Sequence, residues 1–350
     1  MQIDNWFYLH PKPATCGIFK QQADDFVVQE ILGYDPQGEG EHIYLWVRKE
    51  GLNTAYLAEQ IAKFAQLPLR AVTYAGRKDK HSVSEQWFGV HKPGKAEYDW
   101  SALNVPGAKV VKAIRHNKKL RTGALKGNKF TILLRNITSP DGLAGRIEQV
   151  CKNGAPNYYG PQRFGDSRYD PKGSNLVLAE KMINGEAIRN RNKRSMAISA
   201  LRSWLFNEIL SERIQAGHFA TPISGDVMSL AGNASYFVSE AIDDDIRKRL
   251  TERDITLSAP LWGKGELPST GATLAFETRV AAKHPKVTET LISLGLEQER
   301  RPIVLYPENL SWSREQDHLR IAFDLPAGTF ATSVLREILN VETAEIGPSE

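Results

Sequence analysis

Cysteine is nearly absent: the 350 residues hold two, Cys16 and Cys151, far apart and in no Cys-x-x-Cys pair. That excludes a disulfide framework and a thiolate metal centre, and leaves both as small buried hydrophobes. Long apolar runs are missing too. No stretch approaches the ~20 apolar residues of a membrane span, and Met1-Gln2-Ile3-Asp4-Asn5-Trp6 lacks the basic and apolar regions of a secretory leader, so we expect a cytoplasmic protein with no membrane partner. The histidines are scattered, which argues against a metal site. There is no P-loop, no Gly-x-Ser-x-Gly elbow and no His-Glu-x-x-His, and Gly38-Glu39-Gly40 is too short for a dinucleotide fingerprint. No internal repeat, coiled coil or low-complexity segment occurs.

What is present is a soluble, core-forming composition, 41% hydrophobic, long enough for two domains. The net charge of +4 is mild, but its distribution is not. Gly107 to Arg135 carries Lys109, Lys112, Arg115, Lys118, Lys119, Arg121, Lys126, Lys129 and Arg135 with no acid among them, and Arg189, Arg191, Lys193 and Arg194 form a second cluster. A charge run is ordinarily a solvated face. Two of them beside aromatic-rich motifs point to RNA.

Strand signals dominate the first 150 residues. His42 to Arg48 alternates, with Ile43, Leu45 and Val47 on one face; Lys109 to Ile114 and Phe130 to Leu134 are further strands. Asn53 is placed to cap a helix in which Leu57, Ile61 and Phe64 recur, ended by Leu67-Pro68. Ser139-Pro140-Asp141-Gly142 turns into a helix starting near Leu143, and a second helix from about Ser195 to Ala216 carries Leu201, Leu205, Ile209 and Leu210 as its apolar stripe. The tail resumes strand character at Arg320 to Phe323, turns at Pro326-Ala327-Gly328, and forms a helix over Ala331 to Leu339; Gly347-Pro348-Ser349-Glu350 is expected to fray. A tail similar in style to the N-terminal region implies an inserted middle domain, with junctions at Asn153-Gly154-Ala155-Pro156 and Arg300-Arg301-Pro302.

The most informative segment runs from Ala75 to Trp87. After Ala71-Val72-Thr73-Tyr74, Gly76 breaks the strand and Asp79 projects from a loop at the sheet's rim, the kind of place where catalytic groups collect. An Asp in a charged turn is by default only solvated. Here Arg77, Lys78 and Lys80 surround it, favouring the ionised carboxylate and offering contacts to phosphate.

This segment resembles the signature of the TruD family of tRNA pseudouridine synthases through Gly76, Lys78, Asp79 and Gln86. Arg77 stands where that family usually has an apolar residue, Ser82 where it has Ala, and Ser84 where it has Thr. The resemblance continues. Lys20, Asp25, Phe26, Val28 and Glu30 match an N-terminal motif, although Phe26 and Val28 also read simply as one core face of a strand. Gly127-Asn128-Lys129-Phe130 matches another, where pattern alone gives a turn residue and a core residue. Asn157 to Gly165 is a third, suited equally to a rigid junction and to RNA contact by Arg163. Phe323 to Glu337 is the last, its Phe330 otherwise an ordinary packing residue.

The resemblance implies an α/β (α+β) fold: a pseudouridine synthase-like catalytic domain over 1–152 and 306–350, with a mixed, largely antiparallel sheet, interrupted by an inserted domain over 153–305. It implies conversion of uridine to pseudouridine at position 13 of tRNA, with tRNA as partner, no obligatory protein partner, and no metal or organic cofactor. It further implies that Asp79 supplies the essential carboxylate, that Phe26, Asn128, Phe130 and Phe330 hold the uracil, that Glu30 supports the site and that Lys20 pairs with Asp79. The competing expectation is an RNA-binding protein of the same fold without catalysis, against which the presence of Asp79 argues.

Overall fold

The structure is a computed structural model that describes residues 1–94, 97–165, 167, 170–233 and 235–343. From the N-terminus the chain forms β1 (Cys16–Phe19), β2 (Phe26–Ile31), β3 (His42–Glu50), α1 (Thr54–Phe64), β4 (Val72–Tyr74), β5 (Val83–His91), β6 (Ala108–His116) and β7 (Gly127–Thr138). The middle contributes α2 (Leu143–Asn153), β8 (Ala155–Pro156), α3 (Pro161–Phe164), α4 (Ser174–Ile183), α5 (Arg191–Gln215), β9 (Asp226–Leu230) and β10 (Tyr236–Ser239). It continues through α6 (Asp244–Thr251), β11 (Ile255–Leu261), α7 (Gly271–Ala281), α8 (Pro285–Ser293), β12 (Glu299–Pro302) and β13 (Val304–Leu305). The tail adds β14 (Glu308–Glu315), β15 (His318–Pro326), α9 (Ala331–Ile338) and β16 (Asn340–Thr343). The residues expected to fray, Gly347 to Glu350, lie outside the described residues.

These elements make two compact units. One comprises Pro13–Gly145, Pro307–Gly328 and the residues from Leu339; the other comprises Met1–Lys12, Arg146–Tyr306 and Thr329–Ile338. The N-terminal segment and α9 thus pack with the middle of the chain.

The first unit is built on a ten-stranded sheet ordered β14-β15-β7-β2-β5-β3-β6, with β1 and β16 joined to β7 through β1, and β4 joined to β5. Among its described strands only β2–β5 and β1–β16 run parallel, so the sheet is mixed and largely antiparallel. Its central members follow from period-two patterning. Phe130, Ile132 and Leu134 of β7 point to the interior, as do Ile43, Leu45 and Val47 of β3, against which α1 lays Leu57, Ala58 and Ile61. Asn53 has the extended backbone of a cap, but its side chain makes no capping bond. Gly127 is required where β7 starts: a Cβ there would run into the Leu325 carbonyl oxygen of β15.

In the second unit, α5 buries Leu201, Leu205, Ile209 and Leu210 in a core shared with the sheet β10-β9-β11-β12, each contributing roughly 1.5–3 kcal/mol. It begins at Arg191, four residues before its apolar stripe suggests, because the Asn190 side chain accepts from the Lys193 N–H at 3.0 Å and caps a first turn made wholly of polar residues. β8 pairs with β13, Ala155 opposite Leu305, so the chain entering and the chain leaving the middle segment lie side by side. Among the described residues, no helix is long and apolar enough to cross a membrane.

Candidate active site

Asp79 sits in the loop that joins β4 to β5 at the rim of the ten-stranded sheet. Its Oδ1 accepts from the His81 N–H at 3.0 Å and its Oδ2 pairs with the Lys20 ammonium, while 39% of its side chain stays exposed. Burial pushes the carboxyl up. Lys20, by charge and hydrogen bond, and His81 outweigh that and hold it below the ordinary aspartate value. Lys20 follows β1 with a left-handed backbone, φ +59°, a conformation that costs a non-glycine residue about 1 kcal/mol and is kept only where the surroundings enforce it.

The cations nearest in sequence behave differently from the expectation that they keep Asp79 ionised. Lys78 turns inward: its ammonium pairs with Glu30 of β2 and its backbone N–H donates to Thr54 Oγ1 at 3.0 Å. Arg77 is exposed, so the departure from an apolar residue disturbs no packing. Among the described residues, only Lys20, 59 residues away in the chain, forms an ion pair with the carboxylate.

Glu30 is buried on the same face of β2 as Phe26 and Val28. Besides Lys78 it accepts the Trp87 N–H at 2.8 Å. Burial raises its pKa, and Lys78, Trp87 and Lys49 pull against that without cancelling it. Gln86 links the loop to α1, donating to the Gly76 carbonyl at 3.4 Å and accepting from Thr54 Oγ1 at 2.9 Å. The two serines that depart from the family pattern are also engaged: Ser82 Oγ donates to the Asp79 carbonyl at 3.0 Å and lies 2.9 Å from Ser84 Oγ.

Phe26 and Phe130 stack at 5.9 Å, with Phe19 edge-on to Phe26 at 5.2 Å and Phe323 tilted against Phe130 at 5.8 Å. The Lys20 Nζ stands 4.3 Å from the centre of the Phe26 ring, which ties this aromatic wall to the ion pair on Asp79. Asn128 lies opposite Glu30 in the β2–β7 register, and its Oδ1 is buried with no hydrogen-bond partner among the described residues. Lys20, Phe26, Glu30, Asp79, Asn128 and Phe130 therefore belong to one unit. Phe330 belongs to the other, where it meets Tyr159 edge-on at 5.7 Å and the Arg163 guanidinium at 5.7 Å.

The basic stripe divides. β6 is an edge strand, so its lysines also guard an open edge. Arg115 pairs with Glu97 and Arg135 forks onto Asp25, whereas Lys118 and Lys119 are exposed and in no ion pair with a described residue. Lys112 places its ammonium 5.2 Å from the Trp87 ring centre.

One residue of the site has no place in the sequence reading. Lys49 of β3 is fully buried, and its ammonium donates to the Leu52 carbonyl at 2.9 Å and to the Asp79 carbonyl at 3.2 Å. The available signal was alternation: Lys49 continues the face of Ile43, Leu45 and Val47, and a lysine on an apolar face needs an explanation.

Comparisons with known proteins bear on the family of the chain as a whole. A family model described as tRNA pseudouridine synthase D (TruD) matches residues 2–188 and 185–338. A protein of Pseudoalteromonas atlantica (strain T6c / ATCC BAA-1087) named tRNA pseudouridine synthase D is 82% identical over 350 residues, covering 100% of both chains. One of the same name from Aeromonas salmonicida (strain A449) is 47% identical over 345 residues, 99% of this chain and 97% of its own. Among solved structures, a putative TruD protein from Methanosarcina mazei superposes with a TM-score of 0.70 at 20% identity over 95% of each chain, which supports the fold. With a matching model along nearly the whole sequence and relatives this similar, the chain belongs to the TruD family of tRNA pseudouridine synthases.

Proposed function

We propose that this protein isomerises uridine to pseudouridine in tRNA, at position 13, with Asp79 as the catalytic carboxylate. The observation that carries the assignment is the state of Asp79: held ionised by Lys20 and the His81 N–H, yet more than a third exposed at a sheet rim. The reaction breaks the bond from ribose C1′ to uracil N1 and forms one from C1′ to C5; C5 releases its hydrogen and N1 gains a proton. An ionised carboxylate starts this either as a nucleophile on sugar or base, or as a base that leads to a glycal.

The base must leave its stack to be turned, and the site must replace what it loses. Phe26 and Phe130 supply an aromatic wall, and the family resemblance adds Phe330 to the residues that hold the uracil. The family resemblance also adds the Asn128 amide as a contact to the uridine, and its Oδ1 has no hydrogen-bond partner among the described residues. Glu30 acts one step back, fixing Lys78 and the loop. Lys118, Lys119 and the exposed start of α5 at Arg191 to Arg194 meet phosphates. We assign the work to the cytoplasm.

The test uses tRNA carrying tritium at uracil C5 of position 13 alone, because forming the new bond expels that hydrogen. Stoichiometric release is expected. Tight binding without release would support instead a non-catalytic RNA-binding protein of this fold.

A further inference from the structure

We propose that Lys49 is a positioning residue for the Asp79 carboxylate: from inside the sheet, its ammonium holds the Asp79 main-chain carbonyl and so fixes the direction in which the side chain leaves the loop. The inference rests on Asp79 being catalytic, and goes beyond it to say what aims that group.

The geometry is specific. Lys49 stands in β3 with Ser84 of β5 opposite it, and the Asp79 carbonyl receives both the Lys49 ammonium at 3.2 Å and the Ser82 hydroxyl at 3.0 Å. The same ammonium holds Leu52, just before α1, at 2.9 Å. Two loops are thus tied to one buried cation. A buried ammonium that faces carbonyls, with no described carboxylate in direct contact, is costly. Keeping it at this point makes sense if it confers placement, since moving a reacting group by about 1 Å can cost 100-fold in rate.

The charged groups facing Lys49 are Asp79 and Lys78 from the loop and Glu30 from β2. Burial is the largest influence and, with Lys78, outweighs the two carboxylates, bringing the Lys49 pKa down to about 8 from 10.5. Asp79, lowered from an already acidic value, stays ionised throughout that range. As pH rises through about 8, Lys49 loses the charge that strengthens its bonds to the carbonyls, and turnover should fall. Folding stability moves the other way. The unfolded chain binds more protons at this site between about 8 and 10.5, so the contribution to stability is complete above 10.5 and lost as pH falls through about 8. A rate that falls while stability rises separates aiming from unfolding.

The experiment compares wild type with Lys49→Met, which keeps the length and removes the donors, and with Lys49→Arg, which stays charged. Single-turnover tritium release, tRNA affinity, thermal unfolding and the pH profile are measured for each. We expect Lys49→Met to be about 10- to 100-fold slower, with tRNA affinity unchanged, a melting temperature at or above wild type, and no fall in rate near pH 8. Lys49→Arg should recover part of the rate and carry it to higher pH. A Lys49→Met rate equal to wild type overturns the proposal, as does a rate loss matched by an equal loss of thermal stability. Should wild type itself release no label, the proposed function fails. Hydrogen exchange at the His81 amide then decides the positioning role: faster exchange in Lys49→Met supports it, and unchanged exchange overturns it.

Discussion

Asp226 and Asp79 are each paired with a basic side chain, and they differ in what is left over. Asp226, at the start of β9, receives the Arg213 fork at 2.8 and 2.7 Å and the Ile223 N–H at 2.8 Å, and the Thr273 hydroxyl at 3.1 Å divides its proton between Asp226 Oδ1 and the Ser224 carbonyl. It is fully buried, and its partners come largely from the regular elements α5 and α7. A carboxylate has about four acceptor sites; on Asp226 three are held by committed donors and the fourth faces the shared Thr273 hydroxyl. Asp79 has one donor on each oxygen among the described residues, sits on a loop, and keeps 39% of its side chain in solvent. Ion pairing alone therefore says little about chemistry. Spare acceptor capacity facing solvent, on a group kept ionised, is what marks Asp79 as able to react.

The largest effect expected is a crossover between the two. Asp79→Asn should slow tritium release by at least about 1,000-fold while leaving the melting temperature and tRNA binding close to wild type. Asp226→Asn should do the reverse: about 3–5 kcal/mol of stability lost, because Arg213 is left buried with a neutral partner, and near-normal turnover by the protein that remains folded. If both substitutions cost stability alike, or both leave turnover intact, the distinction between filled and spare acceptors carries no function.

Asn128 sharpens the comparison from the other side, since its buried Oδ1 is an acceptor to which no described residue donates. Asn128→Leu keeps much of the shape and removes the unsatisfied group. We expect a gain of about 1 kcal/mol in stability together with a 10- to 100-fold loss in turnover, the size of one hydrogen bond to the uracil. Chemical denaturation and single-turnover kinetics on the same preparation read both. A substitution that lowers stability would mean the Asn128 amide is structural.

Much of the fold was legible because it follows period. β3, α1, β15 and α9 announce themselves by alternation or a 3.6-residue stripe, and α5 departs from its stripe only at its polar first turn, where no apolar pattern exists to read. The site was legible through Asp79 and its glycine-led loop. Its electrostatics were not, since a side chain's partner is set by tertiary folding. Lys78, beside Asp79 in sequence, turns inward to Glu30, while Lys20 arrives from the end of β1. The one local clue to this network was a charge continuing a buried strand face: Glu30 after Phe26 and Val28, and Lys49 after Ile43, Leu45 and Val47. Phe330 illustrates the same limit, because sequence order joined it to β15, whereas it packs with Tyr159 and Arg163.

The smallest effect concerns the basic stripe, where the same contrast between filled and spare groups applies to cations. Arg135 forks onto the buried Asp25 at 2.8 to 3.0 Å, so its charge is already committed. Lys118 and Lys119 are exposed and in no ion pair with a described residue. Replacing both lysines with Ala should weaken tRNA binding modestly and reduce the slope of log affinity against log salt by about 1 to 2, one for each phosphate no longer neutralised. Arg135→Ala should leave that slope unchanged and lower the melting temperature instead, because Asp25 would lose its partner while buried. Binding titrations across a salt series distinguish the cases. An unchanged slope in the lysine variant, or a reduced one in Arg135→Ala, would show that the cations touching RNA cannot be told apart by which of them the fold has left unpaired.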